Sequence, residues 1–386
     1  MGAGPRVLVV GLGAAGSASL VALARRGVEC IGIDRFSPPH EHGSSHGLSR
    51  LIRLCYYEHP DYVPLLRESY RLWNLLQATT TSPLLRITGG LYVGRPEDPF
   101  IEGSRQSAVH HGLAHEVLSN NEVAKRFPQF RLEPGEVGFH EPTTGVLFPE
   151  HAIEAELREA QRFGAAISLG ERVLEWRSRA GGLTVITDRR QIEADAVIAC
   201  AGPWMPSLVP GLAERLAVTR QVLAWFRPYD PALLQAGRMP AWAVSEPDGS
   251  AHYGFPMFPA ESTNLEPPGG AGFKLALHRR GEVADPDRVD RAVREDELAS
   301  LARFLRDRIP AALDSSGETL RTRVCLYTNT VDQHFLVDRH PQEARVVVVS
   351  ACSGHGFKLS PAVGAAAADL AVDGRTSLPI EFLRWR

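Results

Sequence analysis

The feature that most constrains the fold is the first stretch of the chain, where an apolar strand leads into a glycine-rich turn and a helix. Residues 7–10 are all apolar, as expected of a strand that is buried on both faces of a parallel sheet. Gly11, Gly13 and Gly16 follow at the G-x-G-x-x-G spacing. This spacing permits a tight turn, a close approach of backbone to a pyrophosphate, and close packing of the helix predicted over residues 14–26.

A second predicted strand, residues 29–33, ends in Asp34. An acidic side chain at this position binds the ribose hydroxyls of an adenosine, and the N-terminus of the preceding helix directs N–H groups at a phosphate. Together these features predict a βαβ unit that binds a dinucleotide. The unit alone does not separate FAD from NAD, although an acid in place of a basic residue argues against NADP.

Length and composition limit what else the chain can be. At 386 residues it exceeds the usual size of one hydrophobic core, so we expect two domains. A formal net charge of -3 gives no reason to propose nucleic acid or anionic lipid as a partner. No apolar run reaches the length of a membrane span, and the apolar N-terminus belongs to the βαβ unit rather than to a signal peptide. We therefore expect a cytoplasmic protein without a membrane partner.

The cysteines do not predict a disulfide framework or a metal site. Their number is odd, and they are scattered without a C-x-x-C pair, so we expect no metal. Taken singly, each is typical of a small core residue, and a functional role needs support from a surrounding motif. The five are Cys30, Cys55, Cys200, Cys325 and Cys352.

The middle of the chain alternates predicted helices and strands. Helices are predicted over residues 65–76 and 150–164. One predicted strand begins at Val173, and another, over residues 194–201, ends in a small-residue turn that contains Gly202. Such a turn lets backbone approach a bound cofactor, and a purely structural turn explains it equally well.

Two pairs of basic or titratable residues are candidates for a site. Arg50 and Arg53 stand three apart and are predicted to share one face of a helical turn, either at a site or in solvent. In the predicted strand over residues 272–278, alternation puts Lys274 and His278 on one face.

A charge-rich helix predicted over residues 290–308 precedes a C-terminal region that repeats the opening pattern. A valine-rich strand over residues 345–350 is followed by a glycine turn and an alanine-rich helix over residues 361–372. Ser360 is predicted to cap this helix, and Gly374 stands just beyond its end. The positive helix N-terminus would suit the negative charge of a reduced flavin, although strand–turn–helix units are generic.

Motifs along nearly the whole chain resemble those of the monomeric sarcosine oxidase and N-methyltryptophan oxidase family of FAD-dependent amine oxidoreductases. The C-x-Y-T and S-G-H-G-F-K motifs are specific, whereas the glycine triplet is not. With the N-terminal unit, the motifs are G-S-S-H-G-L-S-R-L-I-R at residues 43–53, Y-G-F-P at 253–256, G-F-K-L-A-L-H at 272–278, C-L-Y-T at 325–328 and S-G-H-G-F-K at 353–358.

The resemblance implies an α/β fold in which a doubly wound, Rossmann-like FAD-binding domain is assembled from discontinuous segments. A substrate domain with a mixed antiparallel sheet and helices would cover the flavin. The expected FAD-binding segments are residues 1–84, 150–216 and 321–386, and the expected substrate segments are residues 85–149 and 217–320.

The resemblance also implies the reaction. A secondary amino acid, N-methylated or cyclic, would be oxidised by hydride transfer to FAD, the imine would be released, and O₂ would take the electrons to give hydrogen peroxide. We expect a monomer that acts on a small amine and O₂.

Cofactor-binding residues follow from the same resemblance. FAD would be linked covalently through Cys325, as a thioether to the flavin 8α-methyl group. Besides the glycine triplet, the cofactor-binding positions would be Asp34, Ser44, Arg50, Val173, Gly202, Gly354, Gly356 and Lys358.

The substrate-binding and catalytic residues are also carried over from the family. Arg53 and Lys358 would bind the substrate carboxylate, and Lys274 would face O₂, where a fixed positive charge stabilises superoxide. His278 and His355 would lie near the amine. Tyr253 and Tyr327 would form aromatic walls.

Two stretches depart from the family pattern. The loop over residues 259–270 is longer than expected, and residues 56–60 lack the glycines of a mobile entrance loop. Both would border the pocket mouth, so we hypothesise an amine larger than sarcosine. The alternatives are an FAD dehydrogenase that reduces a quinone or protein, a deglycating fructosyl amino acid oxidase, a nicotinamide-dependent reductase, and a nucleotide-binding protein without redox chemistry.

Overall fold

A computed structural model describes residues 5–258, 272–279 and 281–385 of the chain. The helices are α1 Ala14–Arg25, α2 Tyr62–Gln77, α3 Pro99–His111, α4 Asn120–Arg126, α5 Pro149–Arg162, α6 Met205–Leu208, α7 Glu295–Arg308 and α8 Ser360–Asp373. The strands of the N-terminal half are β1 Arg6–Val10, β2 Glu29–Asp34, β3 Arg50–Ile52, β4 Leu85–Ile87, β5 Gly90–Gly94, β6 Glu116–Leu118, β7 Val137–Glu141, β8 Gly145–Leu147, β9 Ala166–Leu169, β10 Val173–Arg179, β11 Gly182–Thr187, β12 Gln191–Ala194 and β13 Ala196–Ala199. Those that follow are β14 Leu216–Phe226, β15 Ala241–Ser245, β16 Ala251–Gly254, β17 Phe273–His278, β18 Thr319–Thr330, β19 Leu336–His340 and β20 Glu343–Ser350.

The first sheet is assembled from three separate parts of the chain, in the order β19-β20-β13-β1-β2-β9. All its pairs are parallel except that of β19 with β20. Its central strands are buried on both faces, so they are almost entirely apolar. The predicted βαβ unit and the discontinuous Rossmann-like sheet are both confirmed.

The two faces of this sheet are covered differently. Helices α1, α5 and α8 pack on one face around an apolar core. A three-stranded antiparallel sheet, β10-β11-β12, covers the other face. The expectation of a doubly wound domain is wrong here, because residues 173–194 form hairpins, with Gly181 at φ +79° in the first turn, instead of a helical crossover.

The second large sheet has the order β18-β14-β17-β16-β15-β5-β7-β6, and all its pairs are antiparallel except β15 with β5. Helix α7 packs on the face that carries Phe273 and Leu275. Lys274 and His278 therefore share the opposite face, as predicted. Strand β18 belongs wholly to this sheet, so the expected segment boundary between residues 320 and 321 falls inside one continuous strand.

Three local predictions are wrong. Arg50 begins strand β3, so it does not share a helical face with Arg53. Helix α7 begins at Glu295 rather than near residue 290, because the Arg220 guanidinium binds the carbonyl oxygens of Asp290 and Ala292.

The third concerns Ser360, which is the first residue of α8 rather than its cap. A 3₁₀ turn, Phe357–Leu359, runs directly into the helix, and the cap position falls on Leu359. Gly374 ends α8 at φ +68°, as predicted. The loop over residues 259–270 lies outside the described residues. Among the helices that the structure describes, none has the length and apolarity needed to span a membrane.

Candidate active site

A large cavity lies between the two sheets. It extends from the glycine turn and Asp34 of the first sheet to Tyr253 and His278 of the second. The cavity brings together the predicted cofactor residues, with one exception. The predicted residues that line it are Gly11, Gly13, Asp34, Ser44, Arg50, Val173, Gly202, Cys325, Gly354, Gly356 and Lys358.

The exception is Gly16, which packs behind the turn. A Cβ there would lie 1.7 Å from the carbonyl oxygen of Gly11, so only glycine fits. Gly11 has φ +84°, and a Cβ there would lie 2.6 Å from the carbonyl oxygen of Cys200. These contacts give the first and third glycines of the triplet the roles predicted from the sequence.

Asp34 stands at the end of β2 and supports the glycine turn. Its carboxylate accepts hydrogen bonds from the backbone N–H groups of Leu12 and Phe36, each at 2.7 Å. Burial raises the pKa of Asp34, although both hydrogen bonds act in the opposite direction. The carboxylate thus ties the turn to the end of the second strand at the edge of the cavity.

Several buried hydroxyl groups around the cavity have no hydrogen-bond partner within the part of the chain that the structure describes. They belong to Ser44, Thr328 and Ser350, all of which line the cavity. Buried polar groups are normally satisfied, so these hydroxyls indicate a polar ligand. The turn after β20 also requires glycine. Gly354 has φ +78°, and a Cβ there would lie 2.5 Å from His278 Cε1.

Cys325 is buried on β18 at the cavity wall. Its Sγ lies 3.4 Å from the carbonyl oxygen of Ser44, and Arg50 donates to it from Nη2 at 3.6 Å. Burial raises the pKa of the Cys325 thiol, and the charge of Arg50 acts in the opposite direction. Arg50 is held in place by the carbonyl oxygens of Ser44 and Ser49, each at 2.8 Å.

Lys274 is buried behind the loop that precedes β3. Its ammonium donates to the carbonyl oxygens of Gly47 and Ser49 and to the Ser49 hydroxyl. Burial, followed by the charge of Arg50, lowers the pKa of Lys274 well below its usual value. The structure thus places Lys274 against this loop rather than on the cavity wall.

A second group of charges occupies the other end of the cavity. Arg53 donates from Nη2 to both carboxylate oxygens of Glu58, at 2.9 and 2.7 Å. Lys358 donates to the carbonyl oxygen of His355 at 2.7 Å and to the Tyr56 hydroxyl at 3.4 Å. Burial raises the pKa of Glu58, but the charges of Arg53 and Lys358 outweigh it and lower the pKa overall.

Glu58 is the functional candidate that sequence reasoning missed. The sequence analysis considered residues 56–60 only because they lack glycines. It did not consider the carboxylate of Glu58, which pairs with Arg53. The signal was an acid five residues after a candidate carboxylate-binding arginine, and only a turn of the chain brings the two together.

The two histidines at this end are neutral near pH 7. Burial lowers the pKa of His278 to about 4 and that of His355 to about 3. His355 Nε2 lies 2.9 Å from the carbonyl oxygen of Gln333 and therefore carries the proton, so Nδ1 accepts from the Tyr56 hydroxyl at 2.6 Å. His278 Nδ1 lies 3.4 Å from the hydroxyl of Tyr327.

The excess charge at this end is therefore positive. Burial lowers the pKa of Lys358 to about 7, so this ammonium is partly charged at neutral pH while Arg53 is fully charged. Glu58 is the acidic side chain paired with Arg53. The arrangement can bind one anionic group between two cations, beside aromatic walls that include Tyr253 and Tyr327.

A glycine turn on a parallel sheet, an acid after the second strand, and a cavity closed by a second sheet define a protein that holds a dinucleotide between two sheets. Comparison with known proteins narrows this class. The family model for FAD dependent oxidoreductases, DAO, matches residues 6–370, and the chain belongs to this family. The unpaired hydroxyls and close-approach glycines of the cavity fit the FAD of this family.

Individual relatives agree with this assignment. Monomeric sarcosine oxidase of Streptomyces avermitilis is 37% identical, over 97% of this chain and 95% of that protein. N-methyl-L-tryptophan oxidase of Salmonella enteritidis is 31% identical, over 96% and 95%. The solved structure of NikD, an unusual amino acid oxidase essential for nikkomycin biosynthesis, has a TM-score of 0.81 and 26% identity, covering 98% of this chain and 96% of that one.

Proposed function

We propose that this protein oxidises a secondary amino acid with FAD and passes the electrons to O₂, releasing an imine and hydrogen peroxide. The observation that carries the proposal is the pair of cations, Arg53 and Lys358, at the end of the same cavity that begins at the dinucleotide-binding turn. The family membership and the names of the relatives support it.

The residues of the cavity divide between cofactor and substrate. Gly11, Gly13, Asp34 and the unpaired hydroxyl of Ser44 would hold FAD at one end, and Cys325 would attach it covalently. When bound, FAD supplies the acceptor for a hydride equivalent and the means of passing electrons to O₂.

The substrate carboxylate would lie between Arg53 and Lys358. Because Glu58 already engages Arg53, it must share that guanidinium or withdraw from it when a carboxylate enters. Neutral His278 and His355 would border the amine without adding positive charge that would oppose its protonated form. Lys274 lies behind the loop that precedes β3, so any effect of its charge on O₂ reduction would act across this loop.

The proposal is tested by the yield of hydrogen peroxide per amine oxidised, measured with sarcosine, N-methyl aromatic amino acids, L-proline and pipecolate. We expect one peroxide for each amine consumed. A dehydrogenase that reduces a quinone or a protein would consume the amine with an added acceptor and give no peroxide, which would contradict the assignment as an oxidase.

The covalent attachment is tested separately by acid precipitation of the purified protein. We expect the yellow colour to remain with the pellet in the natural protein and to pass into the supernatant in the variant Cys325→Ser. The variant Cys352→Ser is the matched control, because Cys352 lines the same cavity and would leave the attachment intact. If the yellow colour of the natural protein passed into the supernatant, the protein would hold a flavin without a covalent link to it. We further propose a monomer, which light scattering of the holoenzyme tests.

A further inference from the structure

The turn that precedes β3 has a strained backbone. Gly47 has φ +95°, and Leu48 has φ +69°, which lies in the left-handed region that favours glycine. A residue with a side chain holds this conformation only where its surroundings impose it. A Cβ on Gly47 would lie 3.7 Å from both Arg50 Nη1 and Lys274 Nζ. Two cations therefore meet at this turn.

Glu150, in the first turn of α5, holds this backbone in place. Its Oε1 accepts hydrogen bonds from the backbone N–H groups of Gly47, at 2.7 Å, and of Leu48, at 3.1 Å. These are the two residues of the turn with positive φ. Hydrogen bonds to an ionised acceptor are stronger than those between neutral groups, so the Glu150 carboxylate stabilises the strained turn.

The same turn binds both cations through its carbonyl groups. Lys274 donates to the carbonyl oxygens of Gly47 and Ser49, and Arg50 donates to that of Ser49. The orientation of these carbonyl groups depends on the backbone that Glu150 holds. Carbonyl oxygens carry only partial negative charge, so the turn by itself does not neutralise the two cations.

Glu150 also supplies a full negative charge near Lys274. Its second oxygen, Oε2, is buried and has no hydrogen-bond partner in the part of the chain that the structure describes. Burial, followed by the charge of Arg50, lowers the pKa of Lys274, and the Glu150 carboxylate acts in the opposite direction. The other ionisable groups that interact with Lys274 lie on β18 and in the loop before β3, and they are Cys325, Arg321 and His46.

We propose that Glu150 is a positioning residue for the reaction with O₂, because it holds the Gly47 turn and supplies the negative charge that keeps Lys274 and Arg50 together. The inference rests on the proposed function, in which O₂ accepts two electrons from the reduced flavin. The proton on flavin N5 and one proton from solvent then complete hydrogen peroxide. A fixed positive charge stabilises the superoxide that the first electron produces. Arg50 lines the cavity, so Glu150 acts on this step through the two cations.

The test measures the rate constant for reoxidation by O₂ from pH 6 to pH 10, after anaerobic photoreduction of the holoenzyme without any amine. Glu150→Gln keeps an oxygen that can accept from both N–H groups and removes only the charge. We expect the pH at which the rate constant falls to move at least about one unit lower in this variant, because Lys274 loses its proton more easily. A purely structural role would slow the reaction equally at every pH, and that result would overturn the inference.

Two further variants separate charge from structure. Glu150→Asp retains the charge on a shorter side chain, so its transition should stay within about half a pH unit of that in the natural protein. A shift as large as that in Glu150→Gln would assign the effect to the turn instead of the charge and would overturn the inference. Glu154→Gln, exposed one turn further along α5, is the matched control and should leave the profile unchanged.

Lys274→Met tests whether the effect passes through Lys274. We expect its rate constant to be slow and independent of pH, both with and without Glu150→Gln. A shift that Glu150→Gln still produced in this background would mean that Glu150 acts on another group, which would overturn the inference. A natural protein that is photoreduced but gives no peroxide with O₂ would instead contradict the proposed function, so the two failures are distinguishable.

Discussion

At the scale of single residues, the ion pair of Arg53 and Glu58 is the most informative feature of the site. Both side chains are largely withdrawn from solvent, so each depends on the other for its charge to be tolerated. A carboxylate on the substrate has the same chemistry as the Glu58 carboxylate. If Arg53 binds the substrate carboxylate as proposed, Glu58 would compete with it for the guanidinium.

Replacement of Glu58 should separate its role as the charge partner of Arg53 from its role as a competitor for carboxylate binding. We expect Glu58→Gln to lower the free energy of unfolding by about 3 kcal/mol in the absence of ligand, because it leaves a buried guanidinium without its charge partner. Acetate should then bind more tightly than in the natural protein and restore the lost stability. Thermal unfolding with and without acetate measures both effects.

Glu68→Gln on α2 is the control, because its i,i+3 pair with Arg71 lies at the surface and should change stability little. If Glu58→Gln were as stable as the natural protein and bound acetate no better, Arg53 would not be the anion-binding group.

Lys358 should make carboxylate binding depend on pH. Its pKa of about 7 means that the ammonium is charged below pH 7 and neutral above it. At pH values where acetate itself is ionised, we expect its Kd to rise as the pH increases through about 7, because the attraction to Lys358 is lost. His278 and His355, with pKa values of about 4 and 3, stay neutral over this range and add no second transition.

The variant Lys358→Met should bind acetate more weakly at pH 6 and show a flat profile up to pH 9. A rise in Kd that survives in this variant would assign the titration to another group. At saturating substrate the activity should instead increase with pH, since the amine must lose its proton before its lone pair can drive oxidation.

At the scale of elements, helix α1 depends on a buried acid of α5. Glu156 Oε2 lies 2.6 Å from the Ser17 hydroxyl, which also donates to the carbonyl oxygen of Gly13 in the dinucleotide-binding turn. Burial raises the pKa of Glu156 from 4.5 to about 8, so the folded protein holds this carboxyl in its neutral form. A neutral carboxyl can donate to Ser17 and complete the chain of hydrogen bonds.

The sign of the resulting pH dependence follows from the raised pKa. The folded state binds a proton that the unfolded state loses above about pH 4.5, so this contribution to stability is complete below pH 4.5 and is lost as the pH rises to about 8. The whole loss is on the order of 5 kcal/mol, of which about 3 kcal/mol falls above pH 6. Glu156→Gln should abolish most of the latter part, as urea denaturation at pH 6 and 8.5 would show. Glu154→Gln, exposed on the same helix, should not.

Sequence alone predicted most elements because their causes are local. The strand, glycine turn and helix at the N-terminus are determined by neighbouring residues, and the structure agrees with them. The start of α7 could not be predicted, because Arg220, distant in sequence, captures carbonyl groups that a helix would use. The strand that begins at Val173 was predicted, but the packing of its hairpins on the first sheet was not, because short strands alone do not indicate which face of another sheet they cover.

Less of the candidate site than of the fold could be predicted from the sequence alone. Spacing suggested the dinucleotide turn and made Arg53 and Lys274 candidates, whereas Cys325 and Lys358 stood out only through the resemblance. Pairing of Glu58 with Arg53 and enclosure of Lys274 by the loop before β3 depend on how distant segments fold together.

At the scale of the whole molecule, two sheets bring different chemistry to one cavity. The first supplies the glycine turn and Asp34, and the second supplies Tyr253, His278 and the strand that carries Cys325. Arg53 directly follows β3, and Lys358 lies in the turn between β20 and α8. The central claim is that a secondary amino acid binds in this cavity and reduces the cofactor held there.

The most direct test is to mix the purified yellow protein with N-methyl-L-phenylalanine or sarcosine without oxygen and to follow the visible flavin absorbance. We predict that the absorbance is lost with the amine and returns when O₂ is admitted, with one hydrogen peroxide formed per cycle. A flavin that is bleached by dithionite but by none of the secondary amino acids would contradict the account.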